Sequence, residues 1–341
     1  MREALERFLA SKMPTASAIT VDGLVQHTEG FSLQTFSFDV DWREAGKACH
    51  RRLVIRRQPS AGLLEPYDLE PQFRALHAIA DTPVRFPRVL WYEPDPSVLS
   101  APFYVMEWVA GEVPLPALDA NGTPPFADDA RRVTIGRDFA EILADVHRID
   151  IDVCGLQFLG RPRDAREAAQ RAVDVWEGYT ERARLGPMPM MTEALCWLRN
   201  NLPADGEVTL VHGDYRTGNF ITSDDRIAAI LDWEMVHLGD PMEDLAWAMS
   251  KIWRGESSRV GYLVEPEEFL AWYEQAGGAR VSHDRLRFYS VLAGVKMAAI
   301  MLTGVKAWHD GRTRDMRMVF FDQQVPGMYA VIAEALGLIQ L

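Results

Sequence analysis

The sequence predicts an α+β protein in two parts, because strand patterns dominate its beginning and helix patterns dominate the remainder. Residues 33–40 alternate apolar and polar side chains, which is typical of a half-buried strand. Residues 127–147 instead repeat apolar side chains at helical spacing. The stretch 114–125, with several Pro residues and a Gly, lies between the two patterns and is the best linker candidate. We therefore expect a small sheet-containing lobe over 1–110 and a larger, mostly helical lobe over 111–341.

The composition is that of a globular protein with enough apolar residues for two domain cores. The chain has 341 residues, of which 48% are hydrophobic, and a formal net charge of −13. This acidic balance argues against nucleic acid or an anionic membrane surface as the main partner, because both are bound by clustered Lys and Arg. Cys49, Cys154 and Cys196 are too few and too far apart for a disulfide framework or a paired-cysteine metal site. We expect a reduced, cytoplasmic protein.

The N-terminus predicts a short amphipathic helix and no targeting segment. Leu5, Phe8 and Leu9 share one helical face, while Glu3 and Glu6 give the segment an acidic character unlike that of a signal peptide. No uninterrupted apolar run approaches the roughly 18 residues of a membrane span. The sequence therefore predicts no membrane insertion.

The remaining elements follow from periodicity and from turn residues. Asp68 is a good N-cap for a helix, and Pro71 is allowed in the first turn of that helix. In the N-terminal lobe, strands are predicted at 24–27, 33–40, 51–57, 86–93 and 102–109, and a helix at 68–80. In the C-terminal lobe, helices are predicted at 127–147, 165–184, 185–201, 241–253, 265–276, 283–308 and 315–336.

Polar residues interrupt short strands in the middle of the chain. The apolar pair at 210–211 stops before Asp214, and a strand resumes at Asn219. A second apolar run, 227–231, ends at Asp232. Asp214, Asn219 and Asp232 therefore all lie at strand ends, where side chains can converge on one point.

The spacing of these residues matches the needs of phosphoryl transfer. Transfer from ATP requires oxygen ligands for Mg²⁺, a carboxylate that orients the attacking hydroxyl and takes its proton, and a cation on the phosphates. The kinase catalytic loop has His-x-Asp with Asn five residues after the Asp, and a strand-borne Asp-Phe-Gly follows. Here His212, Asp214 and Asn219 repeat the first pattern, and Asp232 begins an Asp-Trp-Glu triplet. The alternative, in which Asp214 and Asn219 are turn residues and Asp232 an N-cap, explains each residue singly but not the spacing.

These motifs resemble those of the aminoglycoside phosphotransferase and choline kinase-like family, a relative of the protein kinases. In that family Gly replaces Arg after the His, and Asp-Trp-Glu or a similar triplet replaces Asp-Phe-Gly. The runs 239–241 (Gly-Asp-Pro) and 244–246 (Asp-Leu-Ala) are also typical of it. The resemblance extends from about Gly30 to Phe320 and is strongest over 211–246. It implies a two-lobed, protein-kinase-like fold and an enzyme that uses ATP and Mg²⁺.

The resemblance also implies roles for individual residues. Asp214 would orient the acceptor hydroxyl and accept its proton, while Asn219 and Asp232 would coordinate Mg²⁺. The phosphate-binding cation of the family lies on the strand at 51–57, where it matches Arg56. Arg57 competes for that role, and a solvated basic strand end is the alternative for both.

Nucleotide contacts are implied at two further places. The turn that contains Gly30 and Ser32 would close over the phosphates, although with one glycine it is equally compatible with a plain hairpin turn. Backbone groups from Glu107 to Val109 would bind the adenine edge, and an ordinary buried strand is the alternative. The family usually places a Glu on the following helix to pair with the strand cation. Here that position holds Gln72, which is a departure from the pattern.

Several neighbouring polar residues are expected to have structural roles. His212 is expected to pack beneath the loop, and His147 to pack at a helix C-terminus. Asp240 and Asp244 fit family positions that brace the catalytic loop. Glu234 either approaches a second metal ion or is a carboxylate at a helix start.

The acceptor is the least determined part of the prediction. Motifs such as GDYRTGN, HLGDP and APFYVME are most similar to the kinase-like domains fused to acyl-CoA dehydrogenases, which suggests a hydroxyacyl thioester or another hydroxylated metabolite. An aminoglycoside acceptor and a catalytically silent nucleotide-binding module are the alternatives, and a purely structural scaffold is a third. The C-terminal helices offer apolar and basic residues that suit a neutral or anionic acceptor, unless they are core and surface residues only: Met297, Met301, Trp308, Met316, Met318, Phe320, Phe321, Arg312, Arg314 and Arg317.

Overall fold

Strand pairing and helix packing divide the chain into two units in the computed structural model, which describes residues 1–27, 32–115, 118 and 122–339. The first unit consists of Met1–Ala80 and Pro87–Val109, and the second of Asp81–Phe86 and Ala110–Leu341.

The first unit is built on a five-stranded antiparallel sheet with strand order β1-β2-β3-β5-β4. Phe38, Ile55 and Val105 are buried together with Phe8 of the first helix, whose ring meets the ring of Phe103 edge-on at 4.9 Å between centroids. The strands are β1 Ala16–His27, β2 Gln34–Glu44, β3 Lys47–Arg57, β4 Val89–Glu93 and β5 Phe103–Glu107, and the helices are α1 Arg2–Lys12, α2 Glu70–Ala78 and α3 Pro96–Leu99.

Three predictions for the first unit need correction. β1 begins at Ala16, well before the predicted start, because this strand is largely exposed and lacks the apolar alternation of a half-buried one. The segment between the predicted strands 86–93 and 102–109, for which no helix was predicted, contains the short helix α3, which Asp95 caps by accepting the backbone N–H of Ser97. Asp68 does not cap α2 directly; its carboxylate accepts the N–H of Glu70, the first helical residue, at 3.0 Å.

The segment Asp81–Phe86 belongs to the second unit, although the sequence analysis placed it in the N-terminal lobe. The carbonyl oxygen of Arg85 accepts the backbone N–H of Ile230 at 2.8 Å. The guanidinium of Arg85 donates to the carbonyl oxygen of Ile227 at 2.5 Å and to Asp138 at 3.4 Å. These contacts attach the segment to the strand at residues 226–230, and periodicity alone could not reveal them.

The second unit is mostly helical and carries two small antiparallel sheets, β6 with β9 and β7 with β8. Its helices are α4 Asp129–His147, α5 Ala165–Arg182, α6 Pro189–Asn200, α7 Met242–Met249, α8 Pro266–Gln275, α9 His283–His309 and α10 Arg317–Ala335. Its strands are β6 Thr209–Val211, β7 Phe220–Ser223, β8 Arg226–Ile230 and β9 His237–Gly239.

The strand β9 was not predicted, because three residues are too few to show an alternating pattern. Leu238 lies opposite Leu210 in the β6–β9 pair, and both are buried. The pairing brings the chain after Asp232 back beside the strand that leads into Asp214. Tertiary pairing therefore assembles the region that the local sequence pattern only suggested.

Helix α9 is the central helix of the second unit and packs against α5, α6, α7 and α10. Among the described residues it is the one helix long and apolar enough to match a membrane span, because its most apolar window of 18 residues has a mean hydropathy of 1.6. The uninterrupted apolar runs of α9 are shorter than a membrane span, as the sequence analysis stated, because Lys296 and Lys306 interrupt them. Because 89% of that window is buried inside the protein, the composition reflects a core position.

Candidate active site

The loop between β6 and β7 is held from below by one buried carboxylate. Asp244, in the first turn of α7, accepts the backbone N–H of His212 at 2.7 Å and that of Gly213 at 2.8 Å. Burial tends to raise the pKa of Asp244, but hydrogen bonds and charge from His147 and His212 hold that pKa below its usual value. The predicted bracing role of Asp244 is confirmed.

Asp240 was expected to brace the same loop, and the structure gives it another role. Its carboxylate accepts from Arg285 at 2.8 Å and from the N–H of Met242 at 2.9 Å. Asp240 therefore ties α9 to the start of α7.

His147 packs at the end of α4 as predicted, and it also supports Asp244. Its Nε2 lies 3.1 Å from a carboxylate oxygen of Asp244, which requires Nε2 to carry the proton. Its Nδ1 lies 2.8 Å from the hydroxyl of Tyr273, and that hydroxyl accepts the N–H of Ala279 at 3.1 Å. The buried chain of hydrogen bonds thus runs from α8 to the loop.

His212 is buried and turned away from solvent. Its Nδ1 accepts the N–H of Asp214 at 3.1 Å, and its Nε2 lies 2.9 Å from the carbonyl oxygen of Leu231. Because Nδ1 accepts a hydrogen bond and Nε2 donates one, the ring carries a single proton and is neutral. Burial lowers the pKa of His212, which favours this neutral form. The predicted packing role is confirmed.

Gly213 is required by its conformation and by its neighbours. Its φ is +83°, which L side chains rarely adopt, and a Cβ there would lie 2.5 Å from the carbonyl oxygen of Met235. The ammonium of Lys296 donates to the Gly213 carbonyl oxygen at 2.5 Å. Backbone groups on both sides of this residue are therefore fixed.

The carboxylate of Asp214 accepts three hydrogen bonds and is 7% exposed. Its Oδ1 accepts from the indole N–H of Trp247 at 2.7 Å and from Nε of Arg216 at 3.0 Å. Its Oδ2 accepts from the amide of Asn219 at 2.5 Å. These three hydrogen bonds hold the carboxylate of Asp214 in one orientation.

Asn219 joins Asp214 to the strand that precedes Asp232. Its amide nitrogen donates to both the backbone oxygen and the Oδ2 of Asp214, so the side-chain carbonyl oxygen is the atom left to bind another group. The backbone oxygen of Asn219 accepts the N–H of Leu231 at 2.8 Å. Asp232 follows directly with φ +57°, a left-handed conformation uncommon for a non-glycine residue. The structure therefore brings the three predicted residues into one hydrogen-bonded region.

Glu234 lies in the 3₁₀ turn Trp233–Met235 that Asp232 precedes. The alternative of a carboxylate at a helix start fits this position.

Two further loop residues anchor the backbone, and the sequence analysis missed both. The hydroxyl of Tyr215 donates to the carbonyl oxygen of Phe139 at 2.7 Å, and the two rings stack at 4.4 Å. The hydroxyl of Thr217 donates to the carbonyl oxygen of Gly261 at 2.8 Å. Both donors are buried, so each contact restricts the loop between Asp214 and Asn219.

A buried charge cluster beneath the loop was also missed. Lys296, which is 2% exposed, lies 3.3 Å from Oε1 of Glu243, and Oε2 of Glu243 lies 3.2 Å from Nε2 of His237. Nδ1 of His237 lies 2.9 Å from the carbonyl oxygen of Met235, so both ring nitrogens face acceptors, and only a doubly protonated ring could donate to both. Burial lowers the pKa of His237, but the charge and hydrogen bond of Glu243 raise it overall. The one sequence signal was a lysine within an apolar helix.

The two arginines at the end of β3 differ in their surroundings. Arg57 donates to Gln34 at 2.9 Å and to the carbonyl oxygen of Leu99 at 2.9 Å, and its guanidinium lies over the ring of Phe36. Arg56 donates to the hydroxyl of Thr35 at 3.1 Å. Arg57 is thus held within the sheet, and the phosphate-binding role of Arg56 stays a prediction.

Gln72 is buried on α2, and its amide nitrogen donates to the hydroxyl of Tyr104 at 2.9 Å. Of the residues expected near the phosphates, Ser32 lies in a bend before β2, and Gly30 lies outside the described residues. The phosphate-binding role of Gly30 and Ser32 therefore stays a prediction.

The backbone expected to bind adenine lies at the end of the first unit. The N–H of Glu107 donates to the carbonyl oxygen of Arg88 at 2.9 Å, and the N–H of Trp108 donates to the carbonyl oxygen of Arg52 at 3.3 Å. Within the described residues the N–H of Val109 has no hydrogen-bond partner. Of these three backbone N–H groups, that of Val109 is therefore the one without a partner in the described part of the chain, and the adenine-binding role of the segment stays a prediction.

Comparison with known proteins identifies the class of enzyme. The family model described as the phosphotransferase enzyme family matches residues 27–289. The chain therefore belongs to that family, as its motifs indicated.

Among curated relatives, acyl-CoA dehydrogenase family member 10 of Mus musculus is 31% identical over 315 residues, which cover 88% of this chain and 28% of that protein. Member 11 of Gallus gallus is 30% identical over 318 residues, covering 87% of this chain and 38% of that protein. The chain thus spans about a third of the length of these relatives.

Solved structures confirm the kinase-like fold. A protein of Ralstonia eutropha JMP134 assigned to the aminoglycoside phosphotransferases has a TM-score of 0.73 and 24% identity, and the match covers 99% of both chains. An aminoglycoside phosphotransferase solved with ADP and hygromycin B has a TM-score of 0.62 and 18% identity, with 97% of this chain and 98% of that chain covered. A macrolide 2′-phosphotransferase of type I has a TM-score of 0.61 and 18% identity over 97% and 96% of the two chains.

Proposed function

We propose that the protein transfers the γ-phosphate of ATP, with Mg²⁺, to a hydroxyl group of a small molecule. The observation that carries this proposal is the set formed by Asp214, Asn219 and Asp232. Asp214 is bound to Asn219, and the backbone of Asn219 is bound to the residue before Asp232. Nucleotide binding is further supported by a fold neighbour that was crystallised with ADP and another with AMP-PNP.

The donor set fits a magnesium ion. The side-chain oxygen of Asn219 and the carboxylate of Asp232 are hard oxygen ligands, which Mg²⁺ prefers. No cluster of three or more His, Cys, Asp or Glu suited to a metal occurs in the described part of the chain. Two protein ligands are sufficient for Mg²⁺, because it usually keeps several waters and binds substrate phosphates. When bound, the ion would neutralise charge on the phosphate oxygens.

The residues of the chain would then perform the transfer. Asp214 orients the acceptor hydroxyl and takes its proton as the acceptor oxygen bonds to the γ-phosphorus. The bond from that phosphorus to the β–γ bridging oxygen breaks, and its electron pair leaves with ADP. Arg56 offsets charge on the phosphates, and the N–H of Val109 contacts the base.

The acceptor we propose is a hydroxyacyl thioester or a related hydroxylated metabolite. The chain is 30% to 31% identical to acyl-CoA dehydrogenase family members and 18% to 24% identical to the structures named for aminoglycosides and macrolides. The apolar residues of the C-terminal helices support this choice less than the sequence indicated. Met297, Met301, Met318 and Phe321 are buried in the core, whereas Met316 and Phe320 are exposed at 56% and 57%.

The test joins thermal unfolding with an assay of ADP release. Nucleotide with Mg²⁺ at 100 times its dissociation constant should stabilise the fold by about 2.7 kcal/mol, which raises the melting temperature by several degrees. ADP release should be stimulated by one class in a panel of hydroxyacyl-CoA thioesters of different chain length, amino alcohols, hygromycin B and a macrolide.

Two variants complete the test. Asp214→Asn should lower turnover by a factor on the order of 10² to 10⁴ while nucleotide still stabilises the fold. Asp224→Asn is the matched control, because Asp224 lies exposed in the turn between β7 and β8. Nucleotide stabilisation without turnover on any acceptor would favour the silent module, and equal turnover in both variants would remove Asp214 from its role.

A further inference from the structure

The two oxygens of the Asp214 carboxylate have different numbers of donors. Oδ1 accepts from Trp247 at 2.7 Å and from Arg216 at 3.0 Å, whereas Oδ2 accepts only the amide of Asn219 within the described residues. A carboxylate oxygen has two lone-pair sites. Oδ1 is therefore saturated, and Oδ2 has one site left.

We infer that Trp247 is a positioning residue which, together with Arg216, occupies Oδ1 and reserves Oδ2 of Asp214 for the proton of the acceptor hydroxyl. This inference rests on the proposed function, because it requires Asp214 to act as the base. It adds the atom that takes the proton and the side chain that selects it.

The indole of Trp247 is suited to this task because it is held on several sides. Its side chain is 1% exposed, and its ring lies 5.3 Å from that of Trp253. The ammonium of Lys296 lies 4.6 Å from the ring centroid. A cation over the ring attracts its electron density and polarises the indole N–H, which strengthens the hydrogen bond to the carboxylate.

Lys296 also links the two sides of the loop. The same ammonium that contacts the Trp247 ring donates to the carbonyl oxygen of Gly213, the residue before Asp214. One buried cation thus fixes both the backbone that carries the base and the donor that orients its carboxylate. A purely apolar helix could provide neither contact.

The proton transfer balances at this geometry. The O–H bond of the acceptor breaks, its proton moves to the open site on Oδ2, and its oxygen bonds to phosphorus. The electron pair of the broken P–O bond leaves with ADP. Asn219 keeps its bond to Oδ2, and Trp247 keeps its bond to Oδ1, so the carboxylate does not rotate during the step.

The test is a double-mutant cycle on the catalytic rate. Trp247→Phe keeps an aromatic ring and removes the indole N–H. Trp42→Phe makes the same change at a buried indole whose N–H has no partner among the described residues. ADP release from ATP with Mg²⁺ is measured with water as the acceptor and with the fastest-reacting hydroxyacyl-CoA, in wild-type protein and in an Asp214→Asn background.

Trp247→Phe should lower kcat by about 10-fold to 100-fold, the range expected for a hydrogen bond to a charged group, with the KM for ATP unchanged. In the Asp214→Asn background the same change should have almost no effect, because the oriented carboxylate is already gone. Trp42→Phe should leave kcat unchanged in both backgrounds.

The other outcomes separate the inference from the function on which it rests. If Asp214→Asn keeps wild-type turnover, both the proposed function of Asp214 and the inference about Trp247 fail. If Asp214→Asn is inactive and Trp247→Phe matches wild type, the inference alone fails. An equal loss from Trp247→Phe in both backgrounds would mean that Trp247 acts through the fold.

Should Trp247→Phe not fold, Arg216→Met tests the same assignment. The Arg216 side chain is 21% exposed, so its replacement is compatible with folding, and it removes the other donor from Oδ1. The loss of kcat caused by Arg216→Met should likewise disappear in the Asp214→Asn background. A loss that persists there would overturn the assignment of Oδ2.

Discussion

His237 and Glu243 form a partly buried ion pair, with 3.2 Å between Nε2 and Oε2, beneath the loop between β6 and β7. The other nitrogen of His237 faces the carbonyl oxygen of Met235, against which Gly213 packs. A charged imidazole satisfies both acceptors, and a neutral one satisfies only one of them. The protonation of His237 is therefore linked to the contacts that support the loop.

Stability should depend on pH through this pair. The folded state raises the pKa of His237 above its ordinary value of 6.5, because the attraction of Glu243 outweighs burial and the repulsion of Lys296. The stabilisation from this group is thus fully present below pH 6.5 and is lost as pH rises through the raised folded pKa. The difference in unfolding free energy between wild type and His237→Gln should therefore shrink as pH increases from acid to alkaline values.

A Glu243→Gln background provides the control for this measurement. Without the carboxylate, burial and the repulsion of Lys296 act on the pKa of His237 with no attraction from Glu243 to oppose them, so the effect of His237→Gln should no longer shrink as pH increases. A difference that stays constant from acid to alkaline pH in the wild-type background would show that His237 is neutral in the folded protein.

Asp244 should be among the most sensitive residues for stability. Its carboxylate accepts two backbone N–H groups and the ring of His147, and it is fully buried. Asp244→Ala leaves these donors without a partner, so we expect a loss of about 3 to 5 kcal/mol in denaturant unfolding. Asp145→Asn breaks a surface contact with Arg148 and should change stability by less than about 0.5 kcal/mol. Similar losses for the two variants would refute the bracing role.

The sequence could place three polar residues of the candidate site at strand ends because that information is local. Asp214 follows β6, Asn219 immediately precedes β7 and Asp232 follows β8, so their positions at strand ends could be predicted from the chain itself. The same locality explains why α4 and α9 were predicted within a few residues of their observed ends. Strand β9 was missed because only its pairing with β6 defines it.

The supporting residues could not be predicted because they come from distant helices. Trp247 reaches Asp214 across 33 residues, and Lys296 reaches Gly213 across 83. In the sequence Trp247 is indistinguishable from a core aromatic residue. Lys296 does interrupt an apolar helix, which signals a buried charge but not the atom that it contacts.

Nucleotide affinity should distinguish the two arginines of β3. We expect Arg56→Met to raise the KM for ATP by about 10-fold, because a charge-assisted contact to phosphate is lost. Arg57→Met should instead lower the melting temperature with little effect on the KM for ATP, because its guanidinium is bound to Gln34 and Leu99. Steady-state kinetics and thermal unfolding of both variants check this, and the reverse pattern would assign the phosphate contact to Arg57.

Gly213 and Gly46 allow backbone conformation to be separated from packing. Their φ values are +83° and +81°, so a Cβ meets the same backbone strain at both positions. At Gly46 no atom of the described residues lies within 4 Å of the added Cβ, whereas at Gly213 the Met235 carbonyl oxygen would lie at 2.5 Å. Gly46→Ala should therefore lower stability by about 1 to 2 kcal/mol. Gly213→Ala should lower it further, by roughly 1 to 3 kcal/mol more, and should reduce turnover because the residue before Asp214 must shift. Equal unfolding free energies for the two variants, with normal turnover in Gly213→Ala, would show that the loop relaxes away from Met235 without moving the base.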